Sequence, residues 1–275
     1  MILTGDIGGT SIRLAFWKDG KIFKLVKFPL ESDYAKNLEK IKHHVLSFYE
    51  LNKNVKGLKT AFFAIAGALN KEEIKLKVSI NMPDWENKDL VTDLKQITGC
   101  NVVLKNDTYC AAYAESKLNT VPFWYVNWGT GIGGCLVNSQ DNIKTAEIGH
   151  MSLNIFGEQC RCGQFGCWDS LASGKMLEQK YQKSLSTFTN KEWREVCTIF
   201  VKGLMNLYTV YPIDIVINGG VILGQKDKLL LINELMHKDL KIFDYYPKIS
   251  IARHEDLAGI KGAYELALKK LISME

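Results

Sequence analysis

The sequence lacks any apolar run long enough to cross a bilayer. The longest, Ala61 to Leu69, falls well short of the about 20 residues that a spanning helix needs. The N-terminus, Met1-Ile2-Leu3-Thr4-Gly5-Asp6, shows neither a basic region nor an apolar stretch ahead of a cleavage site. No signal peptide, no membrane partner and a cytoplasmic location are therefore expected. Charge of one sign is scarce as well. The 35 basic and 30 acidic residues leave a net charge of +5, and the lysines are scattered rather than clustered, which argues against a nucleic-acid partner. No stretch rich in Pro, Gly or Ser divides the chain. What is present is apolar mass. At 47% hydrophobic and 24% charged, the 275 residues exclude disorder for most of the length and can build a core without disulfide staples.

At about 150 residues per domain, the length suggests two lobes. The first third alternates strands and helices. Met1 to Ile7 and Ile12 to Trp17 read as strands, Asp19-Gly20 as a hairpin turn, and Lys21 to Phe28 as a third strand. Leu38, Ile41, Val45 and Phe48 recur at helical spacing. Leu58 to Ala66 reads as a buried strand, and the alternation of Ile74, Leu76, Val78 and Ile80 as another. A helix is predicted over 87–98 with Gly99 past its end, a strand over 101–105 and a helix over 108–118. The pattern then restarts. Phe123 to Trp128 is a strand, Gly129 to Gly134 a glycine turn, and Cys135 to Asn138 a strand. After a cysteine-rich insertion come a helix (191–208), a strand (214–218), a helix (226–237), a strand (248–253) and a last helix (255–272). Two lobes that open with the same strand, glycine turn and strand point to an internal duplication, with a cleft between them. The expected division is 1–118 and 119–254, with a zinc-binding insertion at 147–175 and the last helix, 255–275, packing back on the first lobe.

Four stretches carry chemistry. In Asp6-Ile7-Gly8-Gly9-Thr10, a glycine turn lets backbone N–H groups approach an anion, Thr10 adds a hydroxyl, and Asp6 could position Mg²⁺ through water. No Gly-Lys-Ser/Thr follows, so this is not a P-loop, and a plain hairpin turn is the competing reading. Gly129 to Gly134, with Thr130 and Gly131, repeats the feature in the second lobe; Gly219-Gly220 could let a flat ring lie close to the backbone. Asn106-Asp107 stands where a strand meets a helix. An Asp there could accept a hydroxyl proton, although spacing alone favours a helix cap. Finally, His150, Cys160, Cys162 and Cys167 are spaced H-x9-C-x-C-x4-C. Three thiolates and one imidazole complete a closed tetrahedral zinc site of the structural type. The other cysteines are isolated and read as core residues.

Together these stretches resemble the ROK family of repressors and kinases. DIGGTSIR, AIAG, NMPDW, KNDTYCAAYAE, NWGTGIGG, AEIGHM, CRCGQFGCWDSLASG, INGGVILG and GIKGAYELAL occur in family order over essentially the whole chain. The resemblance implies an α/β, two-lobed, actin-like ATPase (ribonuclease H-like) fold and ATP-dependent phosphorylation of a hexose or amino sugar. It makes Asp107 the general base and Gly67, Asn81, Asn106, Asp107, Glu147, His150 and Asp169 sugar contacts, with His150 also a zinc ligand. Asp6, Gly8, Gly9, Thr10, Thr130 and Gly131 become phosphate and Mg²⁺ contacts, and Gly219 and Gly220 lie near the adenosine. A homodimer or homotetramer follows by the same resemblance.

Three departures stand out. The usual Cys-x-Glu is Cys167-Trp168-Asp169, one methylene shorter. The stretch between Gly134 and Glu147 is short. The third glycine of the phosphate turn is lost in Gly133-Gly134-Cys135. The first two bear on sugar choice, and the shorter Asp169 predicts weak glucose binding. The implied substrate is glucose, with N-acetylmannosamine, N-acetylglucosamine and fructose as alternatives. A sugar-responsive regulator without kinase activity is the rival of another class. Its DNA-binding segment would precede the first glycine turn, where only five residues stand before Asp6.

Overall fold

The computed structural model describes residues 1–55, 57–79 and 82–273, so Ile80 and the expected sugar contact Asn81 lie outside the described residues. Two compact units emerge, Met1–Ala114 with the C-terminal stretch from Leu257, and Glu115–Asp256. The first boundary falls inside a helix, four residues before the expected one. The buried Glu115 side chain explains this, since it accepts the backbone N–H groups of Arg253 and His254 at 3.1 and 2.7 Å and so belongs with the second unit.

The first unit is built on β1 (Ile2–Ile7), β2 (Ser11–Lys18), β3 (Lys21–Pro29), α1 (Tyr34–Leu51), β4 (Thr60–Ile65), the short ribbon β5 (Ala68–Leu69) and β6 (Leu76–Val78), α2 (Leu90–Thr98), β7 (Val102–Asn106) and α3 (Asp107–Ser116). Its sheet runs β3-β2-β1-β4-β7, antiparallel through β1 and parallel from β1 to β7. Both faces are covered, which is why Thr60–Ile65 is apolar at nearly every position. Leu3, Phe16, Phe63 and Leu104 face α1 and α2, where Ile41, Val45 and Phe48 make the predicted stripe.

The second unit repeats the order. It contains β8 (Phe123–Trp128), β9 (Ile132–Ser139), β10 (Asn142–Ala146), α4 (Trp168–Ala172), α5 (Gly174–Tyr181), α6 (Asn190–Val210), β11 (Asp214–Asn218), α7 (Gly220–Gly224), α8 (Lys228–Asp239) and β12 (Ile249–Ile251). Its sheet is β10-β9-β8-β11-β12 with the same alternation of antiparallel and parallel pairs, so the duplication is a repeat of topology. Trp128 stacks on Phe200 of α6 with ring centroids 3.7 Å apart. The last helix, α9 (Ala258–Ile272), covers the second face of the first sheet, where Tyr264 stacks on Trp17 at 4.0 Å.

Several expectations are corrected. The strand over 74–80 shrinks to β6, which pairs with β5 in a two-stranded ribbon and bridges Glu86 at Leu76; Leu76 is buried, while Ile74 and Val78 are exposed. The second helix starts at Leu90 rather than Asn87, because Asn87 is left-handed at φ 60° and Asp89 caps the helix at Thr92 N–H. Beyond a left-handed Glu255 the last helix begins at Ala258. The strand β10 was not expected. It is an edge strand with mostly exposed residues, so it shows no apolar alternation. Among the described residues no helix is long and apolar enough to cross a membrane.

Candidate active site

In the first unit the candidate residues gather at the carboxyl ends of the parallel strands, where open α/β sheets bind ligands. The registers Asp6↔Ala64 and Ile65↔Asn106 put the ends of β1, β4 and β7 side by side. Gly8, Gly9 and Thr10 form the turn after β1, closed by Gly8 N–H to Ser11 O at 3.0 Å. Asn106 supplies the cap of α3, its Oδ1 accepting Tyr109 N–H at 3.0 Å, while its Nδ2 donates to Gly67 O at 3.1 Å. Capping and site-building are thus the same bonds. They tie Gly67 to Asn106, the neighbour of Asp107, which is the first residue of α3 and whose Oδ1 accepts from Thr108 N–H at 2.8 Å.

Sequence reasoning missed Arg13. It lies directly across the ladder from Asp6, and its Nη1 bonds Asp6 Oδ2 at 3.1 Å with both side chains mostly buried. The four-residue turn 8–11 carried that signal, because it forces residues 6 and 13 into register.

In the second unit the turn after β8 carries Thr130 and Gly131, and Gly219-Gly220 follows β11. Gly129 brings them together, since a Cβ there would lie 3.7 Å from Gly220 N. Gly219 sits at φ 103°, and a Cβ on it would come within 2.4 Å of Trp128 O, so no larger residue fits this approach of the two strand ends. Glu147 leads into a single helical turn, Ile148–His150, closed by His150 N–H to Glu147 O at 3.0 Å. Asp169 is half-buried on α4. Its Oδ1 accepts Ile132 N–H at 2.6 Å, and burial raises its carboxyl above the usual range.

The ligand atoms of His150, Cys160, Cys162 and Cys167 all lie within 4.8 Å of one another. Cys162 Sγ is 3.5 Å from Cys167 Sγ, and Cys160 Sγ is 3.6 Å from His150 Nδ1. A tetrahedral zinc with bonds of about 2.3 Å to sulfur and about 2.05 Å to nitrogen has edges of about 3.8 and 3.6 Å, so the cluster has the right size. Burial, with the neighbouring thiols, pushes the Cys167 thiol up to about 12, so it stays uncharged until a cation takes the place of its proton.

The ROK family profile matches residues 3–270. The chain belongs to the ROK family. An N-acetyl-D-glucosamine kinase of Vibrio cholerae is 29% identical, over 96% of this chain and 98% of that protein. A glucokinase of Thermotoga maritima is 28% identical, over 68% of this chain and 62% of that protein. The crystal structure of a ROK family glucokinase from Streptomyces griseus in complex with glucose and AMPPNP matches with a TM-score of 0.82 at 22% identity, over 97% of this chain and 99% of that one. The fold of this ROK family member is accordingly the actin-like ATPase fold, each unit a five-stranded mixed sheet with helices.

Proposed function

We propose that this ROK family sugar kinase transfers the γ-phosphoryl group of ATP to the 6-hydroxyl of glucose, with Asp107 as general base. Asp107 takes the hydroxyl proton as the sugar oxygen bonds to the γ-phosphorus; the bond from that phosphorus to the bridging oxygen breaks and ADP leaves. One observation supports this best. Asp107 opens α3 at the end of β7, beside Asn106 and Gly67, which are already joined to each other by a hydrogen bond.

Gly67, Asn106, Glu147 and His150 contact the sugar in this reading, with Asn81 expected from sequence alone. His150 turns Nδ1 toward the cysteines, so Nε2 is the nitrogen for a sugar hydroxyl. The turns at Gly8-Gly9-Thr10 and Thr130-Gly131 donate to phosphate, and Gly219-Gly220 borders the adenosine. Mg²⁺ bound with ATP would neutralise phosphate charge, and Asp6, held by Arg13, is the residue that would position it. The four ligands of the cysteine cluster would hold zinc as a structural ion.

N-acetylglucosamine is the second reading. The Vibrio cholerae kinase matched along nearly its whole length carries that sugar in its name. ADP release measured with glucose, N-acetylglucosamine, N-acetylmannosamine and fructose tests both. The highest kcat/KM is expected with glucose. Turnover of an N-acetyl sugar alone moves the reading to an amino-sugar kinase, and no ADP release with any sugar removes it.

A further inference from the structure

We infer that Asp169 is a positioning residue for the nucleotide, locking the second glycine turn to the segment that carries the metal cluster. This rests on the reading that the turn at Thr130-Gly131 binds phosphate. Asp169 is the second residue of α4, two positions after the cluster residue Cys167. Its Oδ1 accepts Ile132 N–H at 2.6 Å, short even for a bond to a carboxylate. The surroundings leave that side chain little room. A Cβ on Gly131 would lie 3.1 Å from the same oxygen, and one on Gly149 would lie 3.4 Å from Asp169 Cβ and 2.1 Å from Ile132 O. The turn, the helical turn at Ile148–His150 and α4 therefore meet at this carboxylate.

The other end of the turn is held by the same segment. Gly174 N–H donates to Gly129 O at 2.8 Å, and Lys175 N–H to Thr130 O at 3.3 Å; both come from the first residues of α5, which follows α4 directly. One continuous stretch from Cys167 to Lys175 thus holds two carbonyls of the three-residue turn Gly129–Gly131 and the amide of Ile132, which follows it. A turn that binds phosphate through its backbone works only if its N–H groups are aimed beforehand, since reorienting them on binding costs affinity. The carboxylate is tolerated near an anion site because it accepts an N–H and has the cationic Lys175 as a neighbour. Asp169 then acts on the nucleotide through Ile132.

Calorimetric titration of Mg-ADP and, separately, of glucose into wild type, Asp169→Ala and Asp169→Asn tests this without turnover. The alanine variant is expected to weaken ADP binding by about ten- to hundredfold, the loss of one hydrogen bond to a charged group, with glucose binding changed less than about threefold. Asparagine offers an acceptor at the same reach and is expected to restore ADP binding to within about threefold of wild type. Loss of glucose binding with ADP binding intact makes Asp169 a sugar ligand and overturns the inference; so do no change in either, or an equal loss of both. If the alanine variant does not fold, as judged by circular dichroism, Asp169→Ser replaces it. The shorter side chain cannot reach the Ile132 N–H, so ADP binding falls; unchanged ADP binding overturns the inference. Wild type that binds ADP but not glucose refutes the choice of sugar and leaves the ADP comparison decisive. Wild type that binds no ADP refutes both.

Discussion

Asp107 has a structural job and a proposed chemical one, which a single substitution separates. Its Oδ1 accepts the N–H of Thr108 and, at 3.3 Å, the Thr108 hydroxyl, which fastens the first turn of α3. An asparagine keeps an acceptor for those bonds and cannot take a proton. Asp107→Asn is therefore expected to keep its melting temperature and its ADP affinity while kcat falls by at least about a hundredfold. Near-normal turnover would reduce the residue to a helix-starting role. At the same scale, Arg13 is invisible to a search for motifs yet sits opposite Asp6, where it holds the carboxylate in place.

At the scale of elements, the insertion from Glu147 to Ser173 holds only short pieces, a single helical turn and the five-residue α4. Neither is long enough to be stable on its own helical hydrogen bonds. A metal joining four side chains spread over eighteen positions supplies the missing cross-links. Metal analysis is expected to find about one zinc per chain. A chelator that removes it should lower the melting temperature and weaken glucose binding, because His150 belongs to both the cluster and the proposed sugar site. A metal-free preparation with full activity and unchanged melting would remove zinc from the account. The spacing of these four ligands was legible in the sequence because they lie close together along the chain. The hydrogen bond from Ile132 to Asp169, 37 residues apart, was not.

At the scale of the whole molecule, each unit carries its own apolar core, and the glycines proposed to bind the nucleotide hang from the ends of strands anchored in those cores. A ligand that binds only the folded turns must then stabilise the fold by mass action. Mg-ADP at a hundred times its Kd contributes about 2.7 kcal/mol. For a chain of this size that is roughly 5–10 °C in melting temperature, readable by calorimetry. A shift with glucose and none with Mg-ADP would leave the glycine turns as hairpins only.

The amino-acid sequence by itself determined the elements whose cause is local. The stripe Ile41, Val45, Phe48 sets α1, the Asp19-Gly20 turn sets the β2–β3 hairpin, Gly99 in its left-handed conformation ends α2, and the apolar runs at Thr60–Ile65 and Phe123–Trp128 make central strands. Periodicity, capping and turn stereochemistry act over a few residues, so a few residues suffice to read them. Only the tertiary structure decided what depends on a distant partner. The exposed edge strand β10 exists because β9 offers it hydrogen bonds, not because of any pattern of its own. Asp169 shows the same limit at a single side chain. Its charge and length were plain from the sequence, but which amide it would accept depended on Gly131 and Gly149 allowing two separate turns to close around it.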